Sequence, residues 1–171
     1  MLLELTINDF AIIDRLRIET GPGLTVLTGE TGAGKSIIID AVGALLGARV
    51  GPEYIREGAT GARVEGIFDL AGPVPASLQE RLEEYGLAPE DGAIVLGREL
   101  SKTRGTGRAN GRAVPVAALQ SLGGALVVIH GQTDHLALMR PANQLNLLDR
   151  FAGLQSLRAA IDDYHDRAAG R

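Results

Sequence analysis

The sequence predicts an α/β domain built on a central helix that directly follows a glycine-rich loop, and three observations lead to this prediction. A short β-prone run at residues 24–27 is followed by glycine-rich residues 29–34 and then by an apolar helix pattern at residues 35–46. Alternating apolar and polar residues mark several half-buried strands elsewhere. Residues 126–129 are continuously apolar, as expected for a strand buried on both faces. We therefore expect a mixed sheet around the helix, with an antiparallel edge.

The composition suits one soluble globular domain, because the 171 residues are 45% hydrophobic and 22% charged. No cysteine is present, which excludes disulfides and thiolate metal sites. The net charge of −4 provides no basic field over the whole chain, so any contact with DNA must come from a local patch. No apolar run reaches the roughly 18 residues that span a bilayer. Without a recognisable signal peptide, a cytoplasmic location with no membrane partner is expected.

Two strands are predicted at the start of the chain. Leu3, Leu5 and Ile7 alternate with polar residues, and Leu16 and Ile18 do the same. This period of two is typical of half-buried strands, which we expect to pair as a hairpin. They would form the antiparallel edge of the sheet.

The helix from about residue 35 to Leu46 is apolar nearly all round, which indicates a buried helix against the sheet, and Gly47 can end it. Another strand is predicted at residues 64–68, where apolar and polar residues alternate. Ser77 with Glu80 matches a capping box, so a second helix should open there and stop at Gly86.

A basic stretch follows the apolar residues 94–96, and we expect it to be an exposed loop. Asn110-Gly111 is the strongest short signal for a two-residue hairpin turn. Two interpretations stay open for this stretch: it contacts DNA or nucleotide phosphates, or its charges keep a hairpin edge solvated. Its basic residues are Arg98, Lys102, Arg104, Arg108 and Arg112.

The predicted strand at residues 126–129 ends in His130-Gly131-Gln132, and such strand ends are where open α/β sheets place ligands. From residue 145 onward the pattern is helical, with a break near Gly153. Apolar residues then recur at spacings of three and four, which favours one apolar helix stripe. The pattern covers only about two heptads, which are too few to predict a coiled coil from spacing alone. The stripe consists of Leu154, Leu157, Ile161, Tyr164 and Ala168.

Residues 29–36 read G-E-T-G-A-G-K-S, which fits the P-loop pattern G-x-x-x-x-G-K-S between a strand and a helix. Gly32 and Gly34 let backbone N–H groups approach a phosphate. Lys35 would place its charge on the β and γ phosphates, and the hydroxyl of Ser36 would ligate Mg²⁺. We predict a site for a nucleoside triphosphate with Mg²⁺, most simply ATP. The predicted binding residues are Gly29, Glu30, Thr31, Gly32, Ala33, Gly34, Lys35 and Ser36.

The P-loop leaves the reaction open. A guanine-reading N/T-K-x-D segment is absent, so we set a GTPase aside. ATPases place an acidic residue after an apolar strand, whereas His130 follows residues 126–129 here. These residues alone are therefore expected to bind nucleotide and hydrolyse it poorly. Two alternatives stay open: a small-molecule kinase with a lid at residues 104–112, and a module that binds ATP without hydrolysing it.

Several stretches together resemble the SMC-like, ABC-type ATPase heads, most closely the N-terminal half of the head of the RecN family of bacterial DNA-repair proteins. Residues 3–13 resemble the first strand of the family, and residues 28–41 resemble its P-loop nearly without change. Residues 45–49 and 55–58 follow at similar spacing. Residues 128–132 resemble the Q-loop, although Thr133-Asp134 departs from the His-Glu of the family.

The resemblance implies roles for individual residues. Gln132 would touch Mg²⁺ and the attacking water, which makes it a catalytic residue beside Lys35 and a metal ligand beside Ser36. Arg56 would reach the γ-phosphate, and the alternative is an exposed arginine in a salt bridge. By the same resemblance, residues 1–152 would form the N-terminal lobe of the head, and the helix from Leu154 would belong to the root of a coiled-coil arm at residues 153–171.

The resemblance also implies partners. The signature loop, the acidic Mg²⁺ strand and the catalytic glutamate would belong to a C-terminal lobe of the same head. Two heads would enclose two ATP molecules, and ATP hydrolysis would control binding of DNA. The implied function is double-strand-break repair and recombination at the nucleoid.

Overall fold

The computed structural model describes residues 1–29, 34–70, 72, 74–129, 148–149, 151–154, 157–158, 160–161, 164 and 167. The chain divides into two units, Met1–Val128 and Ile129–Arg171. Within the described residues, none of the helices combines the length and the apolar run needed to cross a bilayer.

One six-stranded sheet organises the first unit, in the order β2-β1-β3-β4-β5-β6. All of its pairings are antiparallel, so the described residues form an antiparallel sheet and not the mixed sheet that we predicted. The predicted N-terminal hairpin and the predicted strand at residues 64–68 are confirmed. The strands are β1 (Leu2–Phe10), β2 (Ile13–Glu19), β3 (Gly61–Asp69), β4 (Ala93–Ser101), β5 (Gly105–Ala109) and β6 (Arg112–Val114). The helices are α1 (Lys35–Leu45), α2 (Ala76–Glu84) and α3 (Val116–Leu126), with a short 3₁₀ helix at Pro52–Tyr54.

The core lies on one face of this sheet, because successive side chains of a strand point to opposite faces. On β3 the buried residues recur at every second position, from Ala62 to Phe68. Helix α1 covers this face with Ala41, Ala44 and Leu45, all fully buried. Helix α3 adds its own apolar face near β5. The other buried residues of the cluster include Leu5, Ile7, Phe10, Ile94, Leu96, Leu119 and Leu122.

The C-terminal half of α1 packs closely against β3. A Cβ atom added to Gly66 would stand 2.6 Å from the Leu45 Cδ2 atom and 3.1 Å from the Phe68 ring. The helix backbone can approach the sheet this closely because Gly66 has no side chain. Helix α1 is therefore positioned by its last turn.

The prediction that α1 is buried nearly all round is wrong for the described residues. Ile39 is 50% exposed, and Ile37 and Ile38 are only partly buried. The sheet covers one stripe of the helix, and the described part of the chain supplies no element over the opposite face. Helix α1 thus carries more apolar side chains than the described residues bury.

Two predicted strands do not form. Residues 24–28 have no sheet partner, and Leu24 and Val26 are 90% and 67% exposed. Helix α3 extends through Leu126, and Val128 is 73% exposed instead of buried on both faces. A strand needs a neighbour for its backbone hydrogen bonds. None of the described strands pairs with either of these two segments.

The basic stretch is also not the loop that we predicted, because β4 and β5 run through it and only residues 102–104 form the turn. The hairpin turn at Asn110-Gly111 is confirmed: both residues have positive φ, 44° and 73°, and Ala109 pairs with Arg112. Helix α2 begins at Ala76 without a side-chain cap, so the capping box at Ser77 does not form.

Described helical residues of the second unit lie on both sides of Gly153, whose φ of 67° interrupts the helix as predicted. Arg158 forms an ion pair of 2.8 Å with Asp149 across this break. The described members of the apolar stripe are exposed, from 44% at Leu154 to 76% at Tyr164. This unit thus presents an apolar helix face that its described residues leave uncovered.

The contact between α1 and β3 can be tested by Gly66→Ala. The added methyl group must displace Leu45 or Phe68, so we expect the free energy of unfolding to fall by about 1–3 kcal/mol. Gly97→Ala is the matched control, since its Cβ would meet only ordinary contacts at 3.4 Å or more. Urea denaturation measures both. Equal effects of the two substitutions would contradict the close packing of α1 on Gly66.

Candidate functional site

Gly34 begins the candidate site at the N-terminus of α1. It takes φ 90° and ψ −3°, a left-handed conformation that favours glycine, and it occupies the N-cap position without a side-chain cap. The first turn carries no acidic residue. The leading N–H groups of a helix have no intrahelical partner and lie at the positive end of the helix dipole. This helix end therefore suits an anion.

Lys35 places a cation at the same point. Its Nζ donates a hydrogen bond to the carbonyl oxygen of Gly29, so its side chain reaches back from the helix to the start of the loop. Gly29 has a φ of 153°, within the region that favours glycine. Ser36 follows in the first turn and is exposed. An ammonium, a hydroxyl and uncapped N–H groups are the donor set that a triphosphate with Mg²⁺ requires.

The structure thus brings together Gly29, Gly34, Lys35 and Ser36 of the predicted site. The other predicted residues lie outside the described residues, and they are Glu30, Thr31, Gly32, Ala33 and Gln132. In the described part of the chain, no group of three histidine or acidic side chains is arranged to hold a metal ion.

Arg56 is held at the turn between β1 and β2. Its Nη1 lies 2.7 Å from the Oδ1 atom of Asp14, and its backbone N–H donates to the carbonyl of Asp9 at 2.9 Å. Tyr54 reinforces this contact by accepting a backbone hydrogen bond from Ala11 at 2.7 Å. The side chain of Arg56 is 39% exposed. The salt bridge named as the alternative role for Arg56 is therefore present.

The basic residues of β4 to β6 divide into three groups. Arg108 is paired with Glu99 at 2.9 Å, and Arg112 donates to the Gly86 carbonyl at 3.3 Å. Lys102 and Arg104 are exposed on the turn. Arg98 differs from all of these, because it is only 6% exposed and burial lowers the pKa of its guanidinium below the ordinary value.

We did not predict that Arg98 is buried, although the sequence contains a pattern that indicates it. Ile94 and Leu96 precede Arg98 at every second position, and Leu100 follows it at the same interval. Extending the predicted strand at residues 94–96 by this period of two would have placed Arg98 on the buried face.

An exposed apolar surface flanks the P-loop in sequence. Leu24, Val26 and Leu27 precede the loop, and Ile39 follows it on α1, with exposures between 45% and 90%. Large apolar side chains at such density are typical of a surface that another element covers.

Comparisons with known proteins agree with this geometry. A family model described as an AAA domain matches residues 4–107. The DNA repair protein RecN of Halalkalibacterium halodurans is 46% identical over 97% of this chain, and RecN of Bacillus subtilis is 44% identical over 97%. The chain spans 29% and 28% of the length of these two relatives. The predicted resemblance to RecN is thus confirmed.

A solved structure, described as "Structural biochemistry of ATP-driven dimerization and DNA stimulated activation of SMC ATPases", matches with a TM-score of 0.60. The match covers 86% of this chain and 97% of that chain, at 21% sequence identity. At this identity the likeness concerns the fold. The predicted fold class, a P-loop NTPase lobe of the ABC/SMC head type, is confirmed.

Proposed function

Because the chain belongs to the AAA-domain family and resembles the RecN proteins over nearly its whole length, we propose that it is the ATP-binding lobe of a RecN-like SMC-type ATPase. The complete enzyme acts in DNA double-strand-break repair and recombination. This proposal rests on the hydrogen bond from the Lys35 side chain to the Gly29 carbonyl, beside the N-terminus of α1, which has no side-chain cap. This arrangement supports ATP binding independently of the comparisons.

In this proposal the protein residues bind and orient the triphosphate. The ammonium of Lys35 leaves the Gly29 carbonyl and contacts the β and γ phosphates, while the first N–H groups of α1 donate to phosphate oxygens. Ser36 and Gln132 would hold a Mg²⁺ ion, which would supply positive charge to the phosphates. Gln132 also orients the attacking water. The remaining P-loop residues, from Gly29 to Ala33, surround the phosphates with backbone groups.

A C-terminal lobe of the same head completes the site. The exposed apolar residues 24–27 and Ile39 support this part of the proposal, because they form a face that the described residues leave uncovered. The unpaired segment at residues 24–28 would become a strand when that lobe supplies a neighbour. The acidic Mg²⁺ ligand and the catalytic glutamate come from that lobe, so hydrolysis requires both.

Two such heads dimerise around two ATP molecules. Binding and hydrolysis of ATP then control how the complete protein binds DNA. The structure described as "ATP-driven dimerization and DNA stimulated activation of SMC ATPases" supports this extension by likeness of fold. The exposed stripe from Leu154 to Tyr164 supports a coiled-coil root at residues 153–171. A cytoplasmic, nucleoid-associated protein is the expected setting for this activity.

ATP binding by this chain tests the proposal directly. Lys35→Ala removes the charge placed at the phosphates, so we expect affinity for MgATP to fall at least about tenfold. Arg17→Ala removes a positive charge from the exposed strand β2, where Arg17 pairs with Glu4 and Glu19, and we expect it to leave MgATP affinity unchanged. Calorimetric titration measures both. Retention of wild-type affinity by Lys35→Ala would contradict the proposed site.

The role of Arg56 is tested by comparing nucleotides that differ in the γ-phosphate. In the proposal Arg56 exchanges Asp14 for that phosphate, so Arg56→Ala should weaken ATP binding about tenfold more than ADP binding. Asp14→Ala frees the guanidinium and should not weaken ATP binding. Because the ion pair is exposed, each substitution should change stability by less than about 1 kcal/mol. If Arg56→Ala affects ATP and ADP equally, Arg56 has only the structural role.

A further inference from the structure

Arg98 is a buried cation for which the described residues supply no partner. It lies on β4 opposite Val64 of β3 and Gly107 of β5, and it points to the buried face with its neighbours Leu96 and Leu100. Only 6% of the residue is exposed. Within the part of the chain that the structure describes, its Nε and Nη1 atoms are buried without a hydrogen-bond acceptor. An unpaired buried guanidinium is costly, because arginine stays charged in proteins.

The guanidinium of Arg98 lies against Gly105. A Cβ atom at that position would stand 2.8 Å from Nη2 and 3.1 Å from Cζ of Arg98. Gly105 in turn lines a cleft between residues 50–52 and the turn of the β4–β5 hairpin. The guanidinium of Arg98 therefore lies directly behind Gly105, which lines the cleft, while Arg98 itself is not a lining residue.

The rim of the cleft is basic. Lys102 and Arg104 line it from the exposed turn, which is closed by hydrogen bonds between Ser101 and Arg104. Glu53 places one carboxylate nearby, where it accepts a hydrogen bond of 3.2 Å from the N–H of Gly51. With Arg98 behind Gly105, the nearby cations outnumber this carboxylate. A guanidinium under two flexible cations matches a phosphate group, which carries several acceptor oxygens.

We propose that the cleft between residues 50–52 and the β4–β5 turn binds a phosphate group, which Arg98 contacts from below and Lys102 and Arg104 contact from the rim. The phosphate comes either from the backbone of DNA or from a free phosphate compound. Arg98 supplies the buried contact, and the two rim residues contribute the salt-dependent attraction.

This cleft is separate from the P-loop. Residues 50–52 follow the C-terminal end of α1, whereas Lys35 stands at its N-terminal end. A helix of 11 residues separates its ends by roughly 16 Å. A substitution that abolishes binding at the P-loop therefore still allows phosphate binding at the cleft to be measured. The inference does not depend on ATP binding.

The experiment follows the Nε–H signal of Arg98 in ¹⁵N-correlated NMR spectra of the chain. Its assignment comes from the signal that Arg98→Met removes. Titration with inorganic phosphate at constant ionic strength forms one arm, and titration with a short DNA duplex forms the other. All samples carry Lys35→Ala, which suppresses phosphate binding at the P-loop. We expect the Arg98 signal to shift in at least one arm, and the responding arm identifies the source of the phosphate.

Two variants and one control make the test decisive. Arg98→Met should lower affinity for the responding ligand at least about tenfold, and it should not lower the melting temperature, because it removes an unpaired buried charge. Gly105→Ala keeps the net charge but pushes the guanidinium aside, and it should also weaken binding. Arg108→Met is the control, since Arg108 is paired with Glu99 on the opposite face and its loss should have little effect.

The inference is overturned if the Arg98 signal stays unchanged in both arms. It is also overturned if Arg98→Met binds the responding ligand as tightly as Arg108→Met does.

Discussion

The close contact between helix α1 and strand β3 is the constraint on which the site depends. Gly66 lets the last turn of α1, with Leu45, settle against the sheet. Fixing this end of the helix also fixes its other end, because the helix backbone is rigid over its length. The N-terminal end then holds Gly34 in a left-handed conformation and presents Lys35 toward Gly29. Sheet packing thus determines where a phosphate can bind.

The lobe buries one face of its sheet and leaves a second apolar surface uncovered. The six described strands form antiparallel pairs, while residues 24–28 pair with none of them. Leu24, Val26 and Ile39 consequently face solvent in the described part of the chain. The proposed second lobe accounts for both the unpaired backbone and the exposed side chains. The same lobe would supply the acidic Mg²⁺ ligand, which this sequence lacks directly after residues 126–129.

Sequence patterns correctly predicted the strands and the turn whose pairing partners lie within this lobe. The alternation in β1, β2 and β3 and the Asn110-Gly111 turn were read correctly, because their partners are near in sequence or are supplied by the same sheet. The P-loop was recognisable because its chemistry requires particular residues at fixed spacing. The candidate site is therefore easier to predict from this sequence than the arrangement of all its strands.

The errors have a common physical origin. Residues 24–27 and 126–129 have the composition of strands, but composition does not supply a neighbour with which to pair. The basic stretch was read as a loop because charge usually indicates exposure, yet Arg98 follows the buried alternation of β4. A salt bridge of Arg56 could be predicted only as one of two options, and its partner Asp14 was not predicted, since nothing in the spacing of the two residues indicates contact. The kinase alternative required a lid at residues 104–112. Strands β5 and β6 occupy residues 105–109 and 112–114, so this segment is part of the sheet.

We propose that this lobe binds ATP but hydrolyses it only together with a second lobe. The most direct measurement is steady-state ATP hydrolysis by the chain alone and after mixing with the C-terminal lobe of a RecN-like head, with Lys35→Ala in parallel. The account predicts turnover in the mixture only, and its loss in Lys35→Ala. Turnover by the chain alone would contradict the account and favour a self-contained phosphate-transferring enzyme.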